Sequence, residues 1–565
     1  MTTFDWVVMC GFIGFVVLYG TWKTRNTKDV DTYLRAGRTS KWWIVALSIM
    51  ATQASAITFL STPGQAYVDG MRFVQFYIGL PIAMIILSIT AIPIYNRLNV
   101  YTAYEYLEKR FDLKNRMLGS ALFLSQRGLA AGFTIYAPSL ILSVILGWEL
   151  SYTIIIVGTM VIIYTTVGGT VAVNKTHFLQ MIIITIGMFS AFFVLMTLLP
   201  EEVSLIDAAY VAGKMGKLNA IDFTFDLNNR YTFWSGIIGG TFLMLSYFGT
   251  DQSQVQRYLA GSSVKQSRLG LLTNGIVKLP MQFIILFIGA MVFVFYQFIT
   301  PPLFFNPVEE ANVKSGPYGT EYKMIEQEYA ELHEQKQSEL KKLITSIDQG
   351  DEEAIKRKTE IITESQKKAD RLKHQATEII KISDPAADTN DTNYIFLSFI
   401  INFLPIGFVG LLIAAILSAS MSSTSAELNA LASTTVIDFY KRLFRKDAAD
   451  RHYLFVSKIS TVFWGIYAIL FALLAKELGS LIEAVNILGS LVYGTILGIF
   501  LTAFYFRKVQ GTPTFVAALI AELLVLYCYF FTEIPFLWYN VIGCLAVIII
   551  ALFLSGILKN KAMNN

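Results

Sequence analysis

The sequence predicts an all-α polytopic membrane protein that crosses the bilayer about thirteen times. Of its 565 residues, 54% are hydrophobic and only 15% are charged. The hydrophobic residues are gathered into runs of about twenty, the length that an α-helix needs to cross the hydrocarbon core. These two observations favour a bundle of membrane-spanning helices over a soluble helical protein.

Hydrophobic runs bounded by charged residues, proline or glycine predict the individual spans. The first run follows Asp5 without a basic leader or a small-residue cleavage site, so we interpret it as a retained helix rather than a signal peptide. The predicted spans lie near residues 5–22, 42–61, 74–95, 117–146, 150–167, 176–199, 232–250, 270–298, 395–423, 453–475, 480–504, 513–531 and 536–557.

Basic residues are concentrated in alternate short loops, near residues 23–41, 97–116 and 441–451. Short loops rich in lysine and arginine face the cytoplasm. With thirteen spans, this predicts an N-terminus outside and a C-terminus in the cytoplasm. We expect a multi-pass protein of the cell (inner) membrane.

One long polar segment, residues 301–393, interrupts the hydrophobic series and carries 13 basic and 19 acidic residues. Apolar residues recur at helical spacing on both sides of the turn at Gly350, which predicts a helical hairpin on the outer side. We favour a solvated hairpin without chemistry over a hairpin that contacts an extracytoplasmic partner.

Two spans carry small and hydroxylated residues where a bilayer favours an unbroken helix. The second contains residues 51–58, followed by Pro63 and Gly64, and the ninth contains residues 418–425. Carbonyl oxygens of an unwound helix and serine hydroxyls are hard ligands that suit Na⁺. The same composition would also allow close helix packing without any ion, so the residues leave both explanations equally open.

Two basic side chains interrupt hydrophobic runs. Arg127 lies too deep in its span to reach water, and a charge at such depth is functional by default. It either holds a substrate carboxylate or pairs with a protein acid or carbonyls, and the second reading is slightly favoured. Lys278 lies nearer the inner end, where we expect it to reach the interface rather than to form a further polar site.

Enzymatic chemistry is not indicated. The hydrophobic runs contain no cluster of histidine, aspartate and glutamate, no nucleophile elbow and no metal-ligand spacing. The three cysteines are too far apart for a redox pair. The four histidines are scattered along the chain, at His177, His333, His374 and His452.

Several motifs together resemble the sodium:solute symporter family, and the likeness covers nearly the whole chain outside the long insert. The resemblance implies a LeuT-type core of ten helices in two inverted five-helix repeats, with one extra helix before the core and two after it. The residues that carry it are Asp31–Arg38, Tyr164–Gly169 with Ala172 and Val173, Asp251-Gln252, Gln256-Arg257-Tyr258, and the ninth-span serines with Asn429.

On this reading the chain divides into five parts. They are the first helix with its cytoplasmic linker (1–41), the first repeat with the start of the second (42–300), the hairpin insert (301–393), the rest of the second repeat (394–504), and two peripheral helices with a short cytoplasmic tail (505–565).

The resemblance also implies a single sodium site. Its ligands would be the carbonyl oxygens of Ala51, Ala54 and Ala419 and the hydroxyls of Ser422 and Ser423. Some family members have a second site, whose positions here are Ser425, Ala426 and His177 in place of two hydroxyls and an aspartate. Because a hydroxyl and an anion are missing, we expect one sodium ion per solute.

For the solute, the resemblance implies a cavity between the second, fourth, seventh and eleventh spans. We expect sodium-coupled import of a small polar solute, leaning to a carboxylate such as sialic acid, a sugar acid or a monocarboxylate. The alternatives are a neutral sugar symporter, weakened by Thr58 and Met244 at amide positions, and a transporter-like solute sensor. Proton coupling is disfavoured unless His177 takes that part, because the sodium ligands include no titratable group. The implied cavity residues are Gln53, Ser55, Thr58, Arg127, Tyr247 and Asn486.

Overall fold

The computed structural model describes residues 1–24, 38–385, 387–474 and 480–563. In this part of the chain the secondary structure is helical, apart from one isolated bridge between Ser40 and Gly261. Ten helical segments of the described chain are long and apolar enough to cross a membrane, and four shorter apolar helices accompany them. The predicted all-α polytopic class is confirmed.

The α-helices are numbered here in chain order. A 3₁₀ helix covers Gly70–Tyr77, and π-helical turns cover Ser235–Gly240 and Thr435–Phe444. The α-helices are α1 (Thr3–Thr24), α2 (Trp42–Gln53), α3 (Ala56–Asp69), α4 (Leu80–Ile89), α5 (Ala91–Leu98), α6 (Tyr104–Arg110), α7 (Leu113–Leu146), α8 (Leu150–Thr197), α9 (Leu205–Lys214), α10 (Thr241–Gly249), α11 (Gln252–Leu259), α12 (Val264–Phe298), α13 (Pro307–Ser315), α14 (Gly319–Gln349), α15 (Glu352–Ser383), α16 (Thr392–Phe403), α17 (Phe408–Thr434), α18 (Asp450–Leu474), α19 (Leu481–Tyr505), α20 (Gly511–Phe531) and α21 (Phe536–Met563).

The second predicted span is broken in its middle. Helix α2 ends at Gln53, Ala54 leaves the helical region (φ −87°, ψ 69°), Ser55 is extended (φ −81°, ψ 173°), and α3 begins at Ala56. The Thr58 hydroxyl donates to the Gln53 carbonyl across the break at 3.2 Å. Serine and threonine weaken a helix because their side chains compete for its backbone hydrogen bonds.

The seventh span is interrupted in a similar way. Helix α10 ends at Gly249, Thr250 and Asp251 have non-helical backbone angles, and α11 begins at Gln252. The breaks therefore fall in the first helix of each predicted five-helix repeat. Paired broken helices are typical of transporters built from inverted repeats.

The ninth span differs from its predicted boundaries of 395–423. The chain forms a short helix, α16, then stops before Pro405, turns at Gly407 (φ 90°) and starts α17 at Phe408. Pro405 lacks the amide hydrogen that would continue the helix, and glycine tolerates the left-handed turn. The long α17 therefore runs further along the chain than predicted.

Two glycines let neighbouring helices approach α3 closely. A Cβ at Gly289 of α12 would lie 2.2 Å from the Pro63 carbonyl oxygen, and a Cβ at Gly64 would lie 2.0 Å from the Thr392 carbonyl oxygen. Neither contact leaves room for a side chain. Helix α3, the second half of the broken span, is therefore held between α12 and α16.

The insert and the basic loops lie at opposite ends of the bundle. Helices α14 and α15 pair through a turn at Gly350, and Gln337 of α14 donates to the Phe298 carbonyl at one end of α12. At the other end of α12, Ser40 is paired with Ala260. Close to that end, Arg38 donates to Asn96 at 3.0 Å.

Because His333 is buried, we predict that the hairpin is less stable at acidic pH. Burial and the neighbouring Lys336 lower the pKa of His333 from 6.5 to about 4. The unfolded histidine therefore binds a proton more readily than the folded one, so hairpin stability falls as pH drops from about 6.5 toward 4. Hydrogen exchange of hairpin peptides at pH 7 and pH 5, corrected for the intrinsic rate, should show this loosening.

The matched controls are two glutamine variants. His333→Gln should remove the pH dependence, whereas His374→Gln, at an exposed position on α15, should leave it unchanged. An equal pH dependence in the wild-type protein and His333→Gln would contradict the assignment.

Candidate ion and solute site

The break in the second span opens onto a cavity of about 80 Å³. Its walls come from α2, α3, α7, α10, α17 and α19. Ligand sites for drug-sized molecules are larger, about 300–1,000 Å³, so these walls must separate before a solute of that size can enter. The six side chains predicted for the cavity all lie in its wall: Gln53, Ser55, Thr58, Arg127, Tyr247 and Asn486.

The predicted sodium ligands lie where α17 packs against both halves of the broken span. Among the described residues, no hydrogen bond reaches the carbonyl oxygens of Ala51 and Ala54. The Ser422 hydroxyl is buried and has no hydrogen-bond partner among the described residues. Ser423 donates its proton to the Ser420 carbonyl at 3.1 Å, which leaves its lone pairs available. Unpaired carbonyl and hydroxyl oxygens on facing helices are the donor set that a sodium ion fits.

Arg127 is almost fully buried and pairs with two protein carboxylates. Its Nε lies 3.1 Å from Asp251 Oδ2, its Nη2 also bonds that oxygen, and its Nη1 lies 3.0 Å from Glu427 Oε1. The Tyr493 hydroxyl accepts from Arg127 at 2.5 Å and donates to Asp251 at 2.8 Å. Of the two predicted alternatives for Arg127, the structure shows pairing with protein acids.

Glu427 was missed by the sequence reading. It lies one helical turn beyond Ser423 on α17 and lines the cavity. The sequence analysis considered only the ligands themselves, and so did not place this carboxyl group beside the cavity and Arg127. The signal was present in the sequence, as a single acid inside an otherwise uncharged helix of 27 residues.

The remaining predicted cavity residues have fewer polar contacts. The Tyr247 hydroxyl accepts from Gln254 at 2.6 Å, and its ring centre lies 5.5 Å from the Arg127 guanidinium. Asn486 donates to the Ile482 carbonyl of its own helix at 2.7 Å. Gln53 Oε1 has no hydrogen-bond partner within the part of the chain that the structure describes.

The sequence favoured a Lys278 side chain that reaches the membrane interface, and the structure contradicts this expectation. The residue is fully buried, and its Nζ has no hydrogen-bond partner among the described residues. The centre of the Tyr77 ring lies 5.9 Å from Nζ, and Tyr77 also lines the cavity. Four residues further along α12, both amide atoms of Gln282 are also unpartnered. Lys278 is thus a buried basic group directly behind the cavity wall.

The positions of the second sodium site give little support to a further ion. Ser425 Oγ lies 2.7 Å from Thr165 Oγ1, so these two hydroxyls satisfy each other. The side chain of His177 lies outside the described residues.

Comparisons with known proteins agree with this architecture. The model of the sodium:solute symporter family matches residues 33–315 and 377–521. The fold is similar to that of a Na⁺-coupled sialic acid symporter in a substrate-bound outward-open state, with a TM-score of 0.74, 22% identity and 98% coverage of both chains. The LeuT-type core expected from the sequence is confirmed.

Curated relatives carry several different solutes. The chain is 24% identical to the sodium/sialic acid symporter SiaT of Proteus mirabilis, over 96% of this chain and 93% of that one. It is 27% identical to the mouse (Mus musculus) sodium-coupled monocarboxylate transporter 1, over 88% and 68%. The human (Homo sapiens) sodium/iodide cotransporter is 32% identical over 280 residues, which span 49% of this chain and 42% of that one.

Ser422 supplies a first test of the ion site. Ser422→Ala removes a ligand oxygen, and a bond to a charged group contributes about 1.5–3 kcal/mol, so the half-saturating sodium concentration should rise at least tenfold. Tryptophan fluorescence during a sodium titration measures it. Ser418→Ala is the matched control, because its hydroxyl is equally buried and unpartnered on α17; an equal shift in both variants would contradict the assignment.

The Arg127 pair gives a second test. Arg127→Met leaves two buried carboxylates without their base, a change that typically costs about 3–5 kcal/mol, so the melting temperature should fall sharply. Adding Asp251→Asn should recover part of that loss, since the double variant buries one charge fewer. Thermal unfolding of both purified variants measures the recovery, and a double variant less stable than Arg127→Met would contradict the pairing.

Proposed function

This chain belongs to the sodium:solute symporter family, and we propose that it couples the inward movement of sodium to import of a small solute that carries a carboxylate. Proteins of this family are transporters and not enzymes. The observation that carries the proposal is the set of unpaired oxygens where α17 meets the broken second span. These oxygens provide a reason for sodium to bind, and the adjoining cavity provides a place for the solute.

The coupling mechanism follows from where the ion would bind. Sodium at the Ala51 and Ala54 carbonyls and the Ser422 and Ser423 hydroxyls joins the second span to α17, and so completes the wall of the adjoining cavity. The ion therefore raises solute affinity, and by linkage the solute raises ion affinity equally. Inward release is favoured by the membrane potential, at about 2.3 kcal/mol per charge for every 100 mV.

Two observations support a solute that carries a carboxylate: the solutes for which the relatives are named, and the buried Lys278. Relatives named for sialic acid and for monocarboxylates both carry acids. Arg127 is already occupied by Asp251 and Glu427, so we assign the substrate carboxylate to Lys278, whose amino group has no hydrogen-bond partner among the described residues. Movement of Tyr77 would open the short path from this group to the cavity. Tyr247 would then close the opposite side of the solute.

The proposal includes the membrane in which the chain lies and its orientation across that membrane. We place the protein in the inner membrane with the basic loops in the cytoplasm, the N-terminus outside and the C-terminus inside. The hairpin of α14 and α15 then lies on the extracytoplasmic side of the membrane, where a partner protein could contact it. One sodium ion accompanies each solute.

Uptake into proteoliposomes tests the function. The panel contains labelled sialic acid, a monocarboxylate, a neutral hexose and an amino acid, each with an inward sodium gradient or with potassium in its place. We expect sodium-dependent accumulation of one of the acids. Accumulation of the hexose would favour the neutral sugar symporter, and binding without accumulation would favour a sensor.

The Lys278→Gln variant then tests whether Lys278 binds the substrate carboxylate. Loss of a charged hydrogen bond should lower the affinity for the accumulated acid about tenfold or more. Lys265→Gln, at an exposed position of the same helix, is the control and should leave uptake unchanged. Undiminished affinity in Lys278→Gln would remove Lys278 from the site.

A further inference from the structure

A large groove opens on the outside of the bundle between α8 and α12. The two halves of the broken span, α2 and α3, form the rest of its wall, and its volume is about 620 Å³. We call it the α8–α12 groove. Sites for drug-sized ligands have volumes of about 300–1,000 Å³. The groove is therefore large enough to hold a ligand, unlike the solute cavity of about 80 Å³ in the same state.

The α8–α12 groove is a cleft and not a flat surface. Buried side chains form its floor, among them those of Met50, Phe59 and Ile285. Exposed side chains form its rim, with Ile186 at 50% and Ile276 at 71% exposure. These residues all lie on helices that are long and apolar enough to cross the membrane, or on the short apolar helix α2. The open side of the groove therefore faces the hydrocarbon of the bilayer.

The side chains of the groove favour an apolar and flexible ligand. Fifteen of its sixteen described lining residues are apolar, and the remaining one, Thr185, donates its hydroxyl proton to the Met181 carbonyl of its own helix at 2.7 Å. Bound water typically needs about two to four polar partners, which these side chains do not offer. The lining also includes methionines, whose side chains adapt to ligands of variable shape. They are Met50, Met181, Met188 and Met281.

The depth of the groove fits an acyl chain from one leaflet. On α12 its lining runs from Ile276 to Ile285, a rise of about 14 Å, close to half of a hydrocarbon core of about 30 Å. On α2 the lining begins at Leu47, one turn after Trp43 and on the same face of the helix. Trp43 is exposed, and indole rings favour the level of the lipid headgroups. The acyl chain of a lipid whose headgroup lies near Trp43 therefore reaches the groove.

A second copy of the chain fits the groove less well than a lipid does. An α-helix with its side chains is about 10–12 Å across, so fewer than two turns of helix would fill this volume. A membrane-spanning helix of a partner is much longer than that. A single acyl chain is narrow enough to lie along the whole groove.

The groove contacts the broken span on a different surface from the solute cavity. Met50 lies before the break and Phe59 lies after it, and both line the groove and not the cavity. Thr58, the residue before Phe59, lines the cavity instead. The Met50 carbonyl also accepts a bond of 2.7 Å from the amide of Ala54, at the break itself. A ligand in the groove therefore touches both halves of the span at once.

We propose that the α8–α12 groove binds one acyl chain of a phospholipid, and that this chain holds the two halves of the broken span against α8 and α12. Lipid tails are as apolar as the groove, so the hydrophobic effect does not select this site within a bilayer. The selection comes from the larger number of van der Waals contacts that a concave surface makes with the chain. The site does not depend on which ion or solute the protein transports.

Photolabelling tests the site. Purified full-length protein in detergent micelles receives rising amounts of a phosphatidylethanolamine that carries a diazirine in the distal half of one acyl chain. After irradiation, peptide mass spectrometry locates the label. Labelling of residues 181–189 and 276–285 should saturate at a single lipid per protein, whereas labelling of α20, whose Leu523 is exposed outside the groove, should rise in proportion to the lipid. Proportional labelling at the groove as well would overturn the proposal.

A variant with a filled groove supplies the second test. Thr185→Phe combined with Met281→Phe places two rings in the groove, and the lost hydroxyl bonds only its own helix. This double variant should lose most of the saturable labelling, whereas Leu523→Phe, at a lipid-facing position of α20, should retain it. Equal saturable labelling in both variants would overturn the assignment to this groove. If the double variant does not fold, the saturation measured on the wild-type protein still decides.

Hydrogen exchange tests whether the chain holds the broken span. In potassium buffer without sodium, so that no sodium contributes, the backbone amides of residues 51–58 should exchange more slowly as the labelling saturates. Saturable labelling with unchanged exchange would overturn the holding role. Absence of labelling, together with a dimer that Thr185→Phe dissociates in light scattering, would show that a second copy covers the groove and would overturn the proposal.

Discussion

The structure depends on one constraint: a backbone inside a bilayer must satisfy its polar groups without water. The second span breaks this rule at Ala54 and Ser55, where two carbonyl oxygens lose their helical partners. Such a break is tolerated only where it faces a cavity or a bound ion. The long α17 packs against α2 and α3 and brings serine hydroxyls to the break. The proposed ion site, and its proposed coupling to the cavity, follow from this arrangement.

The second organising feature is electrostatic. Three different elements supply these charges: Arg127 lies on α7, Asp251 lies in the break before α11, and Glu427 lies on α17. Their ion pairs hold these elements together in a region of low dielectric constant, where an unpaired charge would be destabilising. Because Arg127 is occupied in this way, it is a poor partner for a substrate anion. Lys278, which has no hydrogen-bond partner among the described residues, is the group that we propose for that task.

The sequence predicted the class and much of the site, for physical reasons that can be stated. Hydrophobic runs of bilayer length indicate spans, and the small and hydroxylated residues near Ala51 indicated the place where the second span opens. The similar residues near Ser422 lie inside the unbroken α17, so there the composition allows close packing without a break. Partners of buried charges were harder to predict. Arg127 could have faced a solute or a protein acid, and only the three-dimensional packing places Asp251 and Glu427 beside it. The boundary of α17 was missed because hydrophobicity continues through Pro405 and Gly407.

The most direct measurement of the central claim is hydrogen exchange at the two segments that sodium would join. Backbone amides of residues 51–58 and 418–425 should exchange more slowly in sodium than in potassium at equal ionic strength, because the ion ties the broken span to α17. Peptides from the hairpin of α14 and α15 should not change. Equal exchange in sodium and potassium at both segments would contradict the claim that sodium holds this junction together.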